Sequence, residues 1–263
     1  MAIKDLLIHV DLSGAAEART DYALALAEAQ GALPIGIAHT PAGADSLRGH
    51  ARLALSNFTR AGERLGLTVE TRAIECSPAD LPPEITCHAH HTDLAVIGQP
   101  GAEGANDSLQ TAIFEELLFQ SGRPVLVVPW AGKSNPTPRT VMVAWDASGR
   151  AARALADALP ILRDANKVVV LVATGDEPGD HGDEPGSDIA LHLARHGINV
   201  EARCVPLGRD IHTADLLLSQ AADLGAEMMI MGGYHHSRVR EFILGGVTRK
   251  VMKTMTLPVL MSH

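Results

Sequence analysis

Met142-Val143-Ala144-Trp145-Asp146-Ala147-Ser148-Gly149 is an apolar stretch that runs into Asp-x-Ser-Gly. A similar stretch, Leu7-Ile8-His9-Val10-Asp11-Leu12-Ser13-Gly14, stands 135 positions earlier. Two later pairs of apolar segments repeat at an offset of 134 positions: 93–98 with 227–232, and 123–128 with 257–262. Chance does not align three separate segments at one nearly constant spacing. The sequence therefore predicts two copies of one domain.

The boundary between the copies is predicted in the stretch from Ala131 to Pro138. This stretch is rich in Gly, Ser, Asn and Pro, the residues typical of linkers and turns. We therefore expect a first domain at residues 1–132 and a second domain at residues 138–263.

Short apolar runs alternate with amphipathic helical stretches in both halves. This alternation is typical of the α/β class, in which helices cover a mainly parallel sheet. The runs predict five strands in each half. In the first half these are 6–10, 34–39, 68–75, 94–97 and 125–128, and in the second half 141–145, 168–173, 199–206, 228–231 and 259–261. A helix at 111–121 is expected before the last strand of the first half.

The composition narrows the possible partners. The formal net charge is −9, so the protein lacks the broad basic face that a phosphate backbone requires, and with 3% aromatics it has no platform for stacking bases. No signal peptide and no membrane span is expected. None of the three cysteines lies in a C-x-x-C spacing, which fits a reducing compartment. We expect a cytoplasmic protein that binds neither nucleic acid nor membrane.

A ligand-binding site is expected where the parallel strands of the second half end. Open α/β sheets bind ligands at the carboxyl ends of their strands. Asp146 leaves the first strand, while Gly232 and Gly245-Gly246 bracket the loop between the fourth strand and the next helix. The start of that helix has free backbone N–H groups and the positive end of its dipole, which suit phosphate oxygens.

This glycine pattern resembles the ATP-binding signature of the universal stress protein family, a fourth strand followed by Gly-x-x-Gly, nine residues and Gly-Ser/Thr. The resemblance covers both halves and implies two tandem Rossmann-like domains of the adenine nucleotide alpha hydrolase-like kind. It implies a stress-response protein that binds ATP, with or without Mg²⁺. By position, it assigns nucleoside contact to Asp146 and phosphate contact to the glycine loop. The full candidate set is Asp146, Met231, Gly232, His235, Gly245, Gly246, Val247 and Thr248.

The second half departs from the signature at two positions. His235 replaces the second glycine, and Gly246 replaces the final Ser/Thr. A Cβ at position 235 obstructs close approach of a phosphate, whereas a protonated imidazole would pair with it, and the sequence leaves both open. Thr248 is a candidate for the missing hydroxyl.

The first half departs further. Gly98 and Gly101 keep the early glycines, but Thr111-Ala112 stands where the helix-start glycine belongs. We therefore expect no nucleotide in the first domain.

Three functions stay open on this basis. The first is a regulatory protein whose affinity for an unknown protein partner changes with bound ATP. The second is an interaction module whose nucleotide site has decayed, and the third is a slow ATPase. No nucleophile with a neighbouring base is readable and no Walker-type Lys follows the glycines, so no catalytic residue is assigned.

Other polar clusters have simpler interpretations. The His-rich segment 87–91 lacks zinc-finger spacing, so no metal site is expected there, and the acidic segment 176–184 is expected to be a solvated loop. Segment 234–240 contains two histidines and two arginines and is either a phosphate lid or an ordinary loop. Asp146 has helix capping as an alternative role. Cys204 is expected to be a buried thiol.

The resemblance also concerns assembly, because members of the family commonly dimerise through their last strands. Here those are Val125–Val128 and Val259–Met261, which are expected to pair within one chain as a pseudo-dimer. Left unpaired, both would be exposed apolar edges. A further homodimer stays open.

Overall fold

A computed structural model describes residues 2–43, 45–101, 107–132, 134–175, 186–208, 210–233 and 246–263. The chain divides into two compact units, Ala2–Gly132 and Lys133–His263. We call them the first and the second domain.

The first domain alternates strands and helices. Its elements are β1 (Asp5–His9), α1 (Ala16–Gln30), β2 (Leu33–Pro41), α2 (Asp45–Arg64), β3 (Glu70–Cys76), α3 (Leu81–Ala89), β4 (Leu94–Gly98), α4 (Asp107–Gln120) and β5 (Val125–Val128). The strands pair in parallel, with β1 between β2 and β4, β3 beyond β2, and β5 beyond β4. The strand order is therefore β3-β2-β1-β4-β5.

The second domain repeats this arrangement. Its elements are β6 (Thr140–Ala144), α5 (Gly149–Asp164), β7 (Lys167–Thr174), α6 (Ser187–Arg195), β8 (Val200–Pro206), α7 (Thr213–Asp223), β9 (Met228–Gly232), α8 (Gly246–Thr254) and β10 (Val259–Ser262). All pairings are again parallel, with the order β8-β7-β6-β9-β10. The predicted tandem α/β fold, with five parallel strands and flanking helices in each domain, is confirmed.

The inner strands explain why each sheet is covered on both faces. Every residue of β4 and of β9 is buried, and both strands consist of apolar residues that end in a glycine. Parallel sheets need such continuous apolar strands because helices pack on both of their faces. Right-handed crossovers then bring the carboxyl ends of the strands to one edge of each sheet.

Two local expectations were wrong. Helix α4 begins at Asp107, so Thr111 and Ala112 lie within the helix and not at its start. Cys204 is exposed, because β8 is the outermost strand beyond β7 and three of its consecutive residues, 202–204, are open to solvent. The pattern of apolar and polar residues in an outer strand does not reveal how much of the strand is covered by a helix. The three cysteines form no disulfide with one another.

Candidate functional site

The turn after β6 holds Asp146 at the carboxyl edge of the second domain. Asp146 Oδ1 accepts a hydrogen bond from the Ser148 backbone N–H at 3.1 Å. The intervening Ala147 has a φ of +56°, in the left-handed region that non-glycine residues seldom adopt. Ser148 Oγ in turn accepts from the Ala151 N–H at 3.1 Å and caps α5. The side chain that caps the helix is therefore Ser148, and Asp146 forms the turn that precedes it.

Strand β9 brings Met231 and Gly232 beside this turn. Met231 pairs with Ala144, the last residue of β6. Asp146 comes two residues after Ala144. At Gly232, a Cβ would lie 2.8 Å from the Ala151 backbone nitrogen. The start of α5 therefore packs directly on Gly232. This glycine has a packing role that needs no ligand.

The start of α8 presents the remaining described residues of the candidate set. Gly246 is exposed, Val247 is half-buried and Thr248 is fully buried within the helix. The first backbone N–H groups of an α-helix have no partner inside the helix and can face an anion. His235 and Gly245 lie outside the described residues, as does the whole segment 234–240.

His212 is a neighbour of this helix start that the sequence did not reveal. Its Nδ1 accepts a hydrogen bond from the Ala214 N–H at 3.1 Å and caps α7, so in the neutral ring the proton is on Nε2. His212 Nε2 lies 3.9 Å from the position that a Cβ would take at Gly246. Histidine is not among the preferred capping residues, so no sequence rule points to it.

The first domain contains a cavity of about 670 Å³ at the corresponding edge. It lies at the carboxyl ends of β1, β2 and β4. Its polar lining residues include His9, Asp11, Arg19, His39, His50 and Gln99. Trp130, which is 51% exposed, lies at its rim. This is a ligand-sized space in the domain for which the sequence predicted no nucleotide.

Arg19 and Asp11 form the charged centre of this cavity. Asp11 Oδ1 accepts from the Ser13 N–H at 2.9 Å and from Ser13 Oγ at 2.6 Å, the same kind of turn that Asp146 makes. Arg19 is 3% exposed, and its Nη2 lies 3.0 Å from Asp11 Oδ1. A Cβ at Gly98 would collide with Arg19 Nη1. In this domain the first motif glycine therefore makes room for a guanidinium.

The surroundings shift the pKa values of two groups here. Burial raises the pKa of Asp11, but the positive charges of Arg19 and His9 and the hydrogen bonds from Ser13 outweigh it and lower the pKa to about 2. Burial lowers the pKa of His9 to about 4, with Asp11 opposing and Arg19 and His39 adding to the shift. At neutral pH, Asp11 is ionised and His9 is neutral.

Two histidines of the His-rich segment contact other residues of the first domain. His88 Nδ1 lies 3.1 Å from Arg72 Nη1, and His90 Nε2 lies 3.2 Å from the Gln120 carbonyl oxygen. Within the described ranges, no group of three or more His, Cys, Asp or Glu side chains is placed to hold a metal ion. The acidic segment 176–184 falls outside those ranges.

Comparison with protein families identifies the second domain. Residues 137–263 match the model of the universal stress protein family. This domain belongs to the universal stress protein family. The first domain repeats its strand order, so the chain consists of two tandem domains of one fold, the second of which is a universal stress protein domain.

Two solved structures share this fold over nearly the whole chain, and a third matches half of it. A universal stress protein from Archaeoglobus fulgidus DSM 4304 is 18% identical with a TM-score of 0.76, and the match covers 98% of this chain and 97% of that one. A protein of unknown function from Pseudomonas aeruginosa PAO1 is 17% identical with a TM-score of 0.61, covering 99% and 92%. A universal stress protein in complex with cAMP is 21% identical with a TM-score of 0.40, covering 50% and 100%. At these identities the likeness to the first two structures shows the fold alone.

Two further searches found nothing, one among curated proteins and one for membrane-spanning helices. No curated protein sequence matches the chain. Among the helices that the structure describes, none is both long and apolar enough to cross a membrane.

Proposed function

We propose that this universal stress protein binds an adenine nucleotide, ATP with or without Mg²⁺, in its second domain. It would act in the cytoplasm as a regulatory or protective factor under stress. The observation that carries the proposal is the meeting of Asp146 with the end of β9 at one sheet edge, in the domain that matches the family model. The exposed helix start at Gly246 follows β9 and supplies N–H groups suited to phosphate.

Asp146 is the residue whose removal tests the proposal most directly. A half-buried carboxylate beside a nucleoside accepts hydrogen bonds from hydroxyl or amino groups, and such bonds to charged groups contribute about 1.5–3 kcal/mol. Asp146→Ala is therefore expected to weaken ATP binding by about tenfold or more. Calorimetric titration of the intact chain with Mg-ATP measures this effect.

The matched control is Asp11→Ala, the same substitution in the corresponding turn of the first domain. It is expected to leave the affinity for ATP unchanged, because the proposed site lies wholly in the second domain. Wild-type protein that takes up no ATP, and that releases no nucleotide when denatured after native purification, contradicts the proposal.

One observation favours a second candidate, an interaction module that no longer binds nucleotide. Gly232 is already required by the approach of α5, so its presence does not by itself imply a phosphate. His235→Gly separates the two candidates. If the wild type binds no ATP and His235→Gly does, decay of the site is supported, whereas tight binding by the wild type excludes it.

We also propose that β5 and β10 pair within the chain to form a pseudo-dimer. Each is the last strand of its domain, and every one of their residues from Val125 to Val128 and from Val259 to Met261 is apolar. Unpaired edges of this composition promote aggregation. Amide hydrogen exchange tests the pairing. Slow exchange at all four amides of β5 supports it, while fast exchange at alternate amides indicates an open edge.

A further inference from the structure

We propose that the cavity of the first domain is a second ligand site, which takes a small organic anion with one carboxylate and a flat apolar group. Arg19 holds the carboxylate, and Trp130 covers the apolar group. This proposal is independent of ATP binding in the second domain.

The first step of the argument is the size and position of the cavity. Its volume of about 670 Å³ lies within the range of sites that bury small organic ligands. It opens at the carboxyl edge of a parallel sheet, where such folds bind their ligands. The described residues that line it all belong to the first domain.

The second step is the incomplete bonding of Arg19. This side chain is nine-tenths buried, yet within the described part of the chain its Nε and Nη2 donate no hydrogen bond. Among the described residues, the carboxylate beside it is that of Asp11, which lies 3.0 Å from Nη2 without hydrogen-bond alignment and also accepts two hydrogen bonds from Ser13. A buried cation with unused donors is costly. A small rotation of the guanidinium would present Nε and Nη2 to the two oxygens of a carboxylate, the geometry that arginine favours.

The third step concerns the charge that the cavity accepts. Among the described lining residues, the only side chains apart from histidines that carry a charge are Arg19 and Asp11, whose charges cancel. His9 is neutral at pH 7. One added negative charge is balanced by Arg19, whereas the several charges of a nucleoside triphosphate would also lie near the carboxylate of Asp11. Helix α4 begins at Asp107, and Leu109 and Gln110 of its first turn line the cavity, so the N–H groups at this helix start also favour an anion there.

The fourth step is the apolar rim. Trp130 is 51% exposed and Leu12 is 43% exposed, and both line the cavity. The backbone N–H of Trp130 donates to Gln99 Oε1 at 3.2 Å, and this bond holds the rim against the cavity wall. Large aromatic side chains at the mouth of a polar cavity suit a ligand with a flat apolar part. An apolar rim above a single cation matches an aromatic carboxylate.

Calorimetric titration of the intact chain with 2-naphthoate tests the proposal. We expect one molecule bound per chain with a Kd near or below about 1 mM, given the size of the probe. Arg19→Lys keeps the charge but loses the two-pronged geometry, so it should weaken binding by about tenfold or more. Trp130→Ala should weaken binding by about three- to tenfold. Because Trp130 is exposed, this second variant keeps the test valid if Arg19→Lys does not fold.

Three matched probes and one variant complete the experiment. 2-Naphthalenemethanol, which lacks the charge, is expected to bind at least about tenfold more weakly than 2-naphthoate. Excess Mg-ATP and Asp146→Ala are both expected to leave 2-naphthoate binding unchanged, which separates this site from the proposed nucleotide site. Absence of saturation, equal affinity for the alcohol, indifference to both first-domain variants, or displacement by ATP overturns the proposal. Tighter binding of 1-naphthyl phosphate overturns the choice of a carboxylate.

Discussion

The two domains begin with the same turn and then diverge. In each, an Asp at the end of the first strand accepts a hydrogen bond from the N–H of a Ser two residues later. In the second domain α5 starts directly after Ser148, whose side chain caps it. In the first domain α1 starts only at Ala16 and has no side-chain cap. A shift of two residues in the helix start thus separates two copies of one motif.

This shift goes with a change in what packs beside the first motif glycine. Gly232 meets the backbone of α5, whereas Gly98 meets the buried side chain of Arg19. The same residue type is kept in both domains for different structural reasons. A shared glycine is therefore weak support for a shared ligand, and the surroundings of the glycine decide what each edge can bind.

The largest expected effect on stability comes from adding a methyl group at Gly232, and the matched substitution is at Gly98. Gly232→Ala places a Cβ against backbone atoms that cannot move independently, so we expect a loss of about 3 kcal/mol of unfolding free energy. Gly98→Ala meets the end of a flexible side chain and should cost about 1 kcal/mol. Urea unfolding of the intact chain measures both.

A double-mutant cycle sharpens this contrast. If Arg19 is the obstacle, the cost of Gly98→Ala should fall below about 0.5 kcal/mol in an Arg19→Ala background. Gly232→Ala should be insensitive to that background. If Gly98→Ala and Gly232→Ala lowered the unfolding free energy equally, the side chain beside one glycine and the backbone beside the other would not differ in how well they accommodate a Cβ.

A pH dependence is expected in the first domain. The pKa of His9 is lowered from 6.5 to about 4, so between these values the unfolded chain binds a proton that the folded chain does not. Stability therefore falls as the pH drops from 7 to 4.5, by about 2–3 kcal/mol. Asp11, with its pKa lowered from 3.8 to about 2, adds a further loss only as the pH falls below about 4.

His9→Gln should remove most of the loss between pH 7 and pH 4.5. The matched control is His50→Gln, because His50 lines the same cavity but is exposed, and this variant should keep the wild-type pH dependence. Urea midpoints of the first-domain transition at the two pH values provide the measurement. A His9→Gln protein that loses as much stability as the wild type would refute the assignment.

The smallest expected effect concerns the two serines of the shared turn. Ser148→Ala removes a helix cap and should cost about 1 kcal/mol. Ser13→Ala removes only a hydrogen bond to Asp11 at an exposed position and should cost within about 0.5 kcal/mol. Thermal unfolding of the two variants compares them, and a Ser13→Ala cost equal to that of Ser148→Ala would mean that Ser13 also supports its helix.

Much of the fold could be predicted because it rests on local patterns. Apolar runs and turn residues located the ten strands that the structure describes, and the repeat predicted the same order of elements along the chain in both domains. The start of α4 was predicted four residues late, at Thr111, although Asn106-Asp107-Ser108 are typical helix-start residues. The exposure of Cys204 was missed because burial of an outer strand depends on the elements that pack on it.

The candidate sites divide in the same way. Asp146, Met231 and Gly232 come together because strands β6 and β9 are neighbours, which the fold class implied. His212 and Arg19 were not foreseen. Each lies on an element distant in sequence from the glycine it approaches, and neither residue type marks its position.

The sequence by itself determined the duplication, the parallel sheets and the sheet edge that carries the candidate site, because periodicity and repeated strand ends are properties of neighbouring residues. Only the tertiary structure decided which glycine faces a helix backbone and which faces a guanidinium. That outcome depends on where α1 and α5 begin and on the space left between them and the fourth strand, which is a matter of packing between distant segments.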